Sequence, residues 1–226
     1  LIEAREQRSV LLSFLMIFIL MAAYYMLRPV RDAMASDWSN TEISVLWNIQ
    51  FFLSLAVVAF YGLAVAKFKF KYLVPSVYGF FAFSFVCFHF GSSFVDNPVL
   101  IDKGFYLWVS LFSLFHVSVF WSMMADLFDS EQSGRLFGFI AVGASAGAIF
   151  GPLMATIIVQ LIGSSALMLS ASLLLLVPVP LIFYLQRLKK TELVNDEVAV
   201  DLESAKIGGN PLAGFKQFVS SPYLIA

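Results

Sequence analysis

Charge is scarce in this 226-residue chain: Lys, Arg, Asp and Glu make up 13% of it, against 60% in the apolar set. A water-facing globule carries about a quarter of its residues as charges, so a soluble domain is excluded. The 14 basic and 15 acidic residues nearly cancel, which leaves no broad basic surface. The aromatic residues fall in apolar runs instead of alternating with Lys and Arg, so nucleic acid is not an expected partner. Cysteine is nearly missing. Cys87 alone cannot form an intrachain disulfide, a multi-cysteine zinc site or a conventional iron–sulfur cluster. Histidine is limited to His89 and His116, with no carboxylate at ligand spacing, so neither a metal nor another cofactor is expected. There is also no Ser/His/Asp arrangement, P-loop, GxGxxG or glycosidase-like carboxylate pair, and enzymatic activity is not expected.

What the chain has instead is length of apolar sequence. Runs over 10–27, 43–66, 72–91, 105–125, 136–162 and 166–185 are each long enough to cross about 30 Å of hydrocarbon as a helix. Stretches such as LLLLVPVPLIF are continuously apolar, whereas a membrane β-barrel strand alternates over about ten residues, so helices are expected throughout. The first run resembles a signal peptide only superficially. It exceeds the usual apolar core of one, and Arg28, Arg31 and Asp32 precede the A-x-A-like Ala33-Met34-Ala35.

Orientation follows from the basic residues of the short loops, which cytoplasmic segments retain. With the N-terminus inside, Arg5, Arg8, Lys67, Lys69, Lys71, Arg135, Arg187, Lys189, Lys190, Lys206 and Lys216 fall on the cytoplasmic side, against Arg28, Arg31 and Lys103 outside. The expected organisation is a six-helix transmembrane bundle over 1–187 and a charged cytoplasmic linker over 188–209. Over 210–226, Leu212, Phe215, Phe218 and Val219 recur at helical spacing after Pro211, as in a segment lying on the membrane surface, and the terminal YLIA reads as the opening of a seventh span. The chain is therefore expected to be an N-terminal part of a longer protein of the multi-pass cell-membrane kind.

Few polar side chains interrupt the apolar runs. Continuing the first helix places Tyr24, Arg28 and Arg31 at i, i+4 and i+7 on one face. Two readings stand: the arginines snorkel at the outer interface, with Arg28 paired to Asp32, or they line a water-filled cavity and attract an anion. Asn48 and His116 sit in the second and fourth runs, where each either bonds a neighbouring helix or lines the same cavity. In the fifth run Gly143, Gly147 and Gly151 recur every four residues, with Pro152 after the last, a pattern that lets another helix approach closely in a packed seam that is expected to slide. Asp126, Asp129, Glu131 and Arg135 read as a solvated turn before it.

The six spans, the charged linker and the GxxxGP element from Gly147 to Pro152 resemble the first half of a major facilitator superfamily transporter. The second-to-third-helix loop has the Gly62 and the basic Lys67, Lys69 and Lys71 of that pattern, with Ala66 at its acidic position and Met154 and Ala155 where a glycine pair usually follows the fifth-helix element. Within the superfamily, YYMLRPVRD resembles the first-helix region of the nucleotide (ATP:ADP) exchange translocases, a Tyr before L-R-x-x-K-D, with Arg31 at the Lys position. The stretch from Trp121 through Arg135, Leu136, Phe137 and Gly138 is similar to that branch too. The resemblance implies an all-α, polytopic fold in two halves, alternating access, and an anionic small-molecule substrate bound by Arg28 and Arg31, with Tyr24, Asn48 and His116 lining the cavity and the sliding fifth-helix seam permitting rocking between the halves. Its implied partners are membrane lipid and the C-terminal half of the same transporter. A membrane assembly or receptor module is the alternative, and a soluble domain in the remaining sequence would distinguish it.

Overall fold

The computed structural model describes residues 2–3, 5–91, 98–163 and 166–193. Seven α-helices follow in chain order: α1 (Gln7–Met34), α2 (Asn40–Lys67), α3 (Phe70–Gly91), α4 (Pro98–Leu127), α5 (Ser130–Ile162), α6 (Ala166–Leu176) and α7 (Pro178–Leu188), closed by a π-helical turn, Lys189–Leu193. Among the described residues there is no strand. Because α6 and α7 form one interrupted span, Ala166–Thr191, six segments are long and apolar enough to cross a membrane. The fold is an all-α bundle of six such spans, as the apolar runs require.

Local chemistry sets the helix ends. Ser39 and Glu42 form a reciprocal capping box at the start of α2, and Asp129 and Gln132 do the same for α5, so each pair satisfies backbone N–H groups that the first turn cannot. Gly163, with φ of 98°, ends α5 in a conformation that L side chains rarely adopt. The single helix expected over 166–185 is broken at Val177. Pro178 has no N–H for the next helical bond, and Val177 N instead bonds Leu174 O at 3.2 Å, one residue short of α-helical spacing. α1 continues through Pro29 to Met34, well beyond its apolar run. Of the range expected as a linker, Leu188 closes α7 and 189–193 form the π-helical turn; its remainder and the segment 210–226 lie outside the described residues.

Successive spans reverse direction, so the bundle has an N-terminal end and a far end. Lys189 Nζ to Asp126 Oδ2 at 3.0 Å ties the π-helical turn after α7 to α4 at the first, and Lys103 Nζ to Glu42 Oε1 at 2.8 Å ties α4 to α2 at the second. α1 is the central helix, packed on α5, α4, α6 and α7. Its Met16, Ile17, Leu20, Ala23 and Leu27 are buried in one core with Phe112 and Phe120 of α4 and Ala171 and Leu175 of α6. Tyr78 of α3 donates its hydroxyl proton to His116 O of α4 at 2.9 Å, and Phe81, Phe85 and Phe112 pack ring on ring between those helices. α2 is peripheral, with Leu46 as its buried residue.

Backbones approach closely between α1 and α5, which are parallel. A Cβ on Gly143 would meet Phe14 O at 2.6 Å and one on Gly151 would meet Ala22 O at 2.7 Å; Gly147 is nearest Phe18 O. Three glycines four residues apart thus face three carbonyls four residues apart. Backbone packs on backbone, where dispersion and Cα–H···O contacts replace the hydrophobic drive that lipid cannot supply. Pro152 follows the last contact without breaking α5.

Candidate functional site

The continuation of α1 past Pro29 carries Arg28 and Arg31 to the far end of the bundle. Arg31 is largely enclosed, its side chain 15% exposed. Its Nη1 lies 3.4 Å from Ser110 Oγ on α4, and its guanidinium rides 5.4 Å from the centre of the Tyr106 ring. Asp32 Oδ1 accepts from Arg31 Nε at 2.9 Å and Nη2 at 2.7 Å, while Asp32 Oδ2 lies 3.5 Å from Arg28 Nε. Two guanidinium groups therefore share one carboxylate and keep a surplus positive charge. Arg28 is the more open of the two and stacks over Tyr25 at 5.7 Å.

Tyr106 is the hub around which this end is built. Trp47 Nε1 of α2 donates to its hydroxyl at 3.1 Å, and Trp38 meets its ring edge-on at 5.6 Å. Lys103, already neutralised by Glu42, lies 5.8 Å from the Trp38 ring centre. The cluster thus joins the end of α1, the start of α2 and the first turns of α4.

Tyr24 lies two helical turns deeper, about 10 Å along α1 from Arg31. Its ring centre is 4.7 Å from that of His116 and 6.4 Å from that of Phe112. His116 is 2% exposed, with Nδ1 3.0 Å from Phe112 O. A carbonyl can only accept, so Nδ1 carries the hydrogen and Nε2 keeps a lone pair; Nε2 is buried without a hydrogen-bond partner among the described residues. Asn48 does not join either group: it is exposed on α2 and donates to Ser44 O of its own helix at 2.8 Å. Among the described residues no three metal-ligating side chains come together.

At the N-terminal end the expected solvated turn is only partly so. Glu131 is exposed, but Asp129 caps α5, Asp126 holds Lys189, and Arg135 reaches back to the first residues of the chain. Arg135 Nη2 and Nη1 lie 3.0 and 3.3 Å from the two oxygens of Glu6, a residue with no exposed surface. Burial by itself would raise the Glu6 carboxyl, but the Glu3 N–H and the Arg135 guanidinium outweigh it and hold the group below its usual range. This partnership spans 129 positions of sequence, which is why local spacing gave no sign of it.

The sequence pattern of the Major Facilitator Superfamily matches residues 13–226. The chain belongs to that superfamily. It is accordingly a multi-pass membrane protein of a transporter family, and the six spans described above are its helical bundle. No curated protein and no solved structure matches the chain.

Within this superfamily bundle the sequence reading named Arg28, Arg31, Tyr24 and His116 and passed over Tyr106, Ser110 and Trp47. A signal for two of them existed: Tyr106 and Ser110 are one turn apart on α4 and share a face. What the sequence could not show is that this face meets Arg31.

Proposed function

We propose that the chain forms the N-terminal half of a secondary active transporter for organic or phosphorylated anions, with nucleotides as the finer reading. The observation that carries this is the sharing of Asp32 by Arg28 and Arg31, which leaves an enclosed guanidinium with unspent charge beside Ser110 and Tyr106. Ordinary interfacial anchors snorkel into water, and Arg31 does not. A guanidinium fork matches phosphate or carboxylate oxygens, and Ser110 Oγ adds a neutral hydrogen-bonding group next to it. The resemblance of YYMLRPVRD to the nucleotide exchangers supports the phosphorylated class.

In this reading Arg31 recognises the anion, Arg28 draws it in, and Tyr24 lines the deeper part of its path, with His116 buried against the Tyr24 ring. Asn48 faces away from that path and enters the site only where the second half of the transporter comes against α2. The glycine seam joins two helices of the same bundle, so it makes α1 and α5 a single stiff unit that rocks as one instead of a surface sliding between halves. Transport is by alternating access, through exchange or ion coupling. The N-terminal end faces the cytoplasm of the cell membrane, since Lys67, Lys69, Lys71, Arg187, Lys189 and Lys190 gather there.

The test is uptake by the full-length protein in liposomes, comparing nucleotides with smaller phosphorylated and carboxylated compounds. Arg31→Ala should weaken apparent anion affinity about ten- to a hundredfold, the value of a lost charged hydrogen bond. Arg31→Lys should recover part of it. Unchanged affinity in correctly inserted Arg31→Ala and Arg28→Ala proteins would reject the assignment.

A further inference from the structure

We propose that an anionic phospholipid occupies the groove between α2, α3 and α4, with an acyl chain along Tyr61, Ala64 and Val77 and its headgroup on Lys67, Lys69 and Lys71. The groove has a volume of about 420 Å³ and is walled by α2 from Val57 to Ala64, by α3 from Leu73 to Phe81, and by Trp108, Leu111 and Phe115 of α4. That volume is within the range of pockets that take up small molecules. It exists because α2 is fastened at the far end, by Glu42–Lys103 and Trp47–Tyr106, and stands off from α3 along its later turns.

The lining is hydrocarbon in character. Its serine, Ser76, spends its hydroxyl on Tyr72 O at 2.7 Å, and the Tyr61 ring lies edge-on to Phe115 at 5.4 Å. The Tyr61 hydroxyl has no hydrogen-bond partner among the described residues but is buried, so an apolar slot of this kind offers a small polar anion little to bind. An extended acyl chain fits it, and such chains surround a membrane-spanning helix.

The groove's N-terminal mouth supplies the second observation. Ala64 lines the groove, and Lys67 lies one helical turn further along the same face of α2, about 4.5 Å on. Leu73 lines the opposite wall one turn into α3, just past Lys69 and Lys71. All three lysines are exposed, and none of them pairs with a carboxylate among the described residues; Lys71 rests 5.3 Å from the Tyr72 ring centre. Three unneutralised ammonium groups above an apolar slot complement a lipid that carries a phosphate on top of its chains. The site is independent of the Arg31 cluster, which lies at the other end of the bundle.

Native mass spectrometry of the full-length protein with phosphatidylglycerol or phosphatidylcholine of identical chains tests the proposal. The wild type should retain the anionic lipid preferentially. The triple substitution Lys67→Gln, Lys69→Gln, Lys71→Gln should reduce that preference at least about fivefold, the value of one basic group at an anionic surface, and the matching Lys→Arg triple should restore it. Ala64→Leu, which fills the groove and leaves the charges, should lower retention of both lipids. A photo-crosslinking amino acid in place of Ser76, activated in phosphatidylglycerol vesicles, should label lipid. An unchanged preference in the Gln triple overturns the proposal, as does labelling of protein instead of lipid at position 76. Displacement of bound lipid by soluble glycerol phosphate as efficient as by phosphatidylglycerol overturns it too, because the lysines would then form a free-anion site.

Discussion

Arg135 grips both oxygens of Glu6 and so fastens the N-cap of α1 to the second turn of α5, at the end where the parallel seam of those helices begins. Glu6 is the buried member of the pair and its carboxyl titrates below its ordinary value of 4.5. A lowered folded-state value means that the stabilisation is complete above pH 4.5 and is lost as pH falls through the folded value. Wild-type thermal stability should therefore drop on acidification below that point. Glu6→Gln should lower Tm at neutral pH and flatten the acid limb, and Arg135→Ala should do the same. A Glu6→Gln protein with the wild-type pH profile would show that the pair adds nothing.

Gly147 tests the seam itself. In a helix alone, Gly→Ala gains about 1 kcal/mol of propensity, whereas a Cβ here would run into Phe18 O and into Met21 Cβ at 3.0 Å. Backbone cannot give way as a flexible side chain would, so overpacking of about 1–3 kcal/mol should win. Gly147→Ala should destabilise the bundle, and Gly147→Leu should abolish its folding or transport. Gly138→Ala on the same helix, with nothing within 4 Å of its Cβ, should be neutral or stabilising. Equal behaviour of the two alanine variants in a thermal-shift measurement would refute the close-packed seam.

Asp32 separates an anion site from a mere anchor by sign. It is the carboxylate that both Arg28 and Arg31 contact, so Asp32→Asn should release charge and tighten anion binding, by up to about fivefold for a half-exposed pair. Ser110→Ala should weaken it modestly. A calorimetric or transport measurement in which Asp32→Asn loses affinity would mean that Asp32, not the arginines, meets the substrate.

Topology is testable by single-cysteine labelling in a Cys87→Ala background. Lys69→Cys should react with a membrane-impermeant reagent only from the cytoplasmic side, and Asp37→Cys, in the turn between α1 and α2, only from outside. Reversed reactivity would invert the proposed orientation.

The number of spans and the places where several of them begin were written locally. Hydrocarbon cannot satisfy a free N–H or C=O, so any apolar run of this length must close its own hydrogen bonds as a helix. Ser39 acts with Glu42 and Asp129 with Gln132, each pair three residues apart, and Gly163 ends α5 through its own φ. Pro178 broke the sixth span by the same kind of local chemistry, a consequence that could have been read from its missing donor.

Which side of each helix faces protein was a different matter. Neither α2 nor α6 has one distinctly apolar face, and lipid is as apolar as a neighbouring helix, so periodicity carried no instruction about facing. Only the tertiary structure turned Asn48 outward, left α2 standing off from α3, and set Gly147 against Phe18 of the same bundle. It alone joined Arg31 to Ser110 across 79 positions and Arg135 to Glu6 across 129. Those contacts depend on where whole helices dock, and docking is decided by backbone fit and by the few polar groups that must find partners away from water.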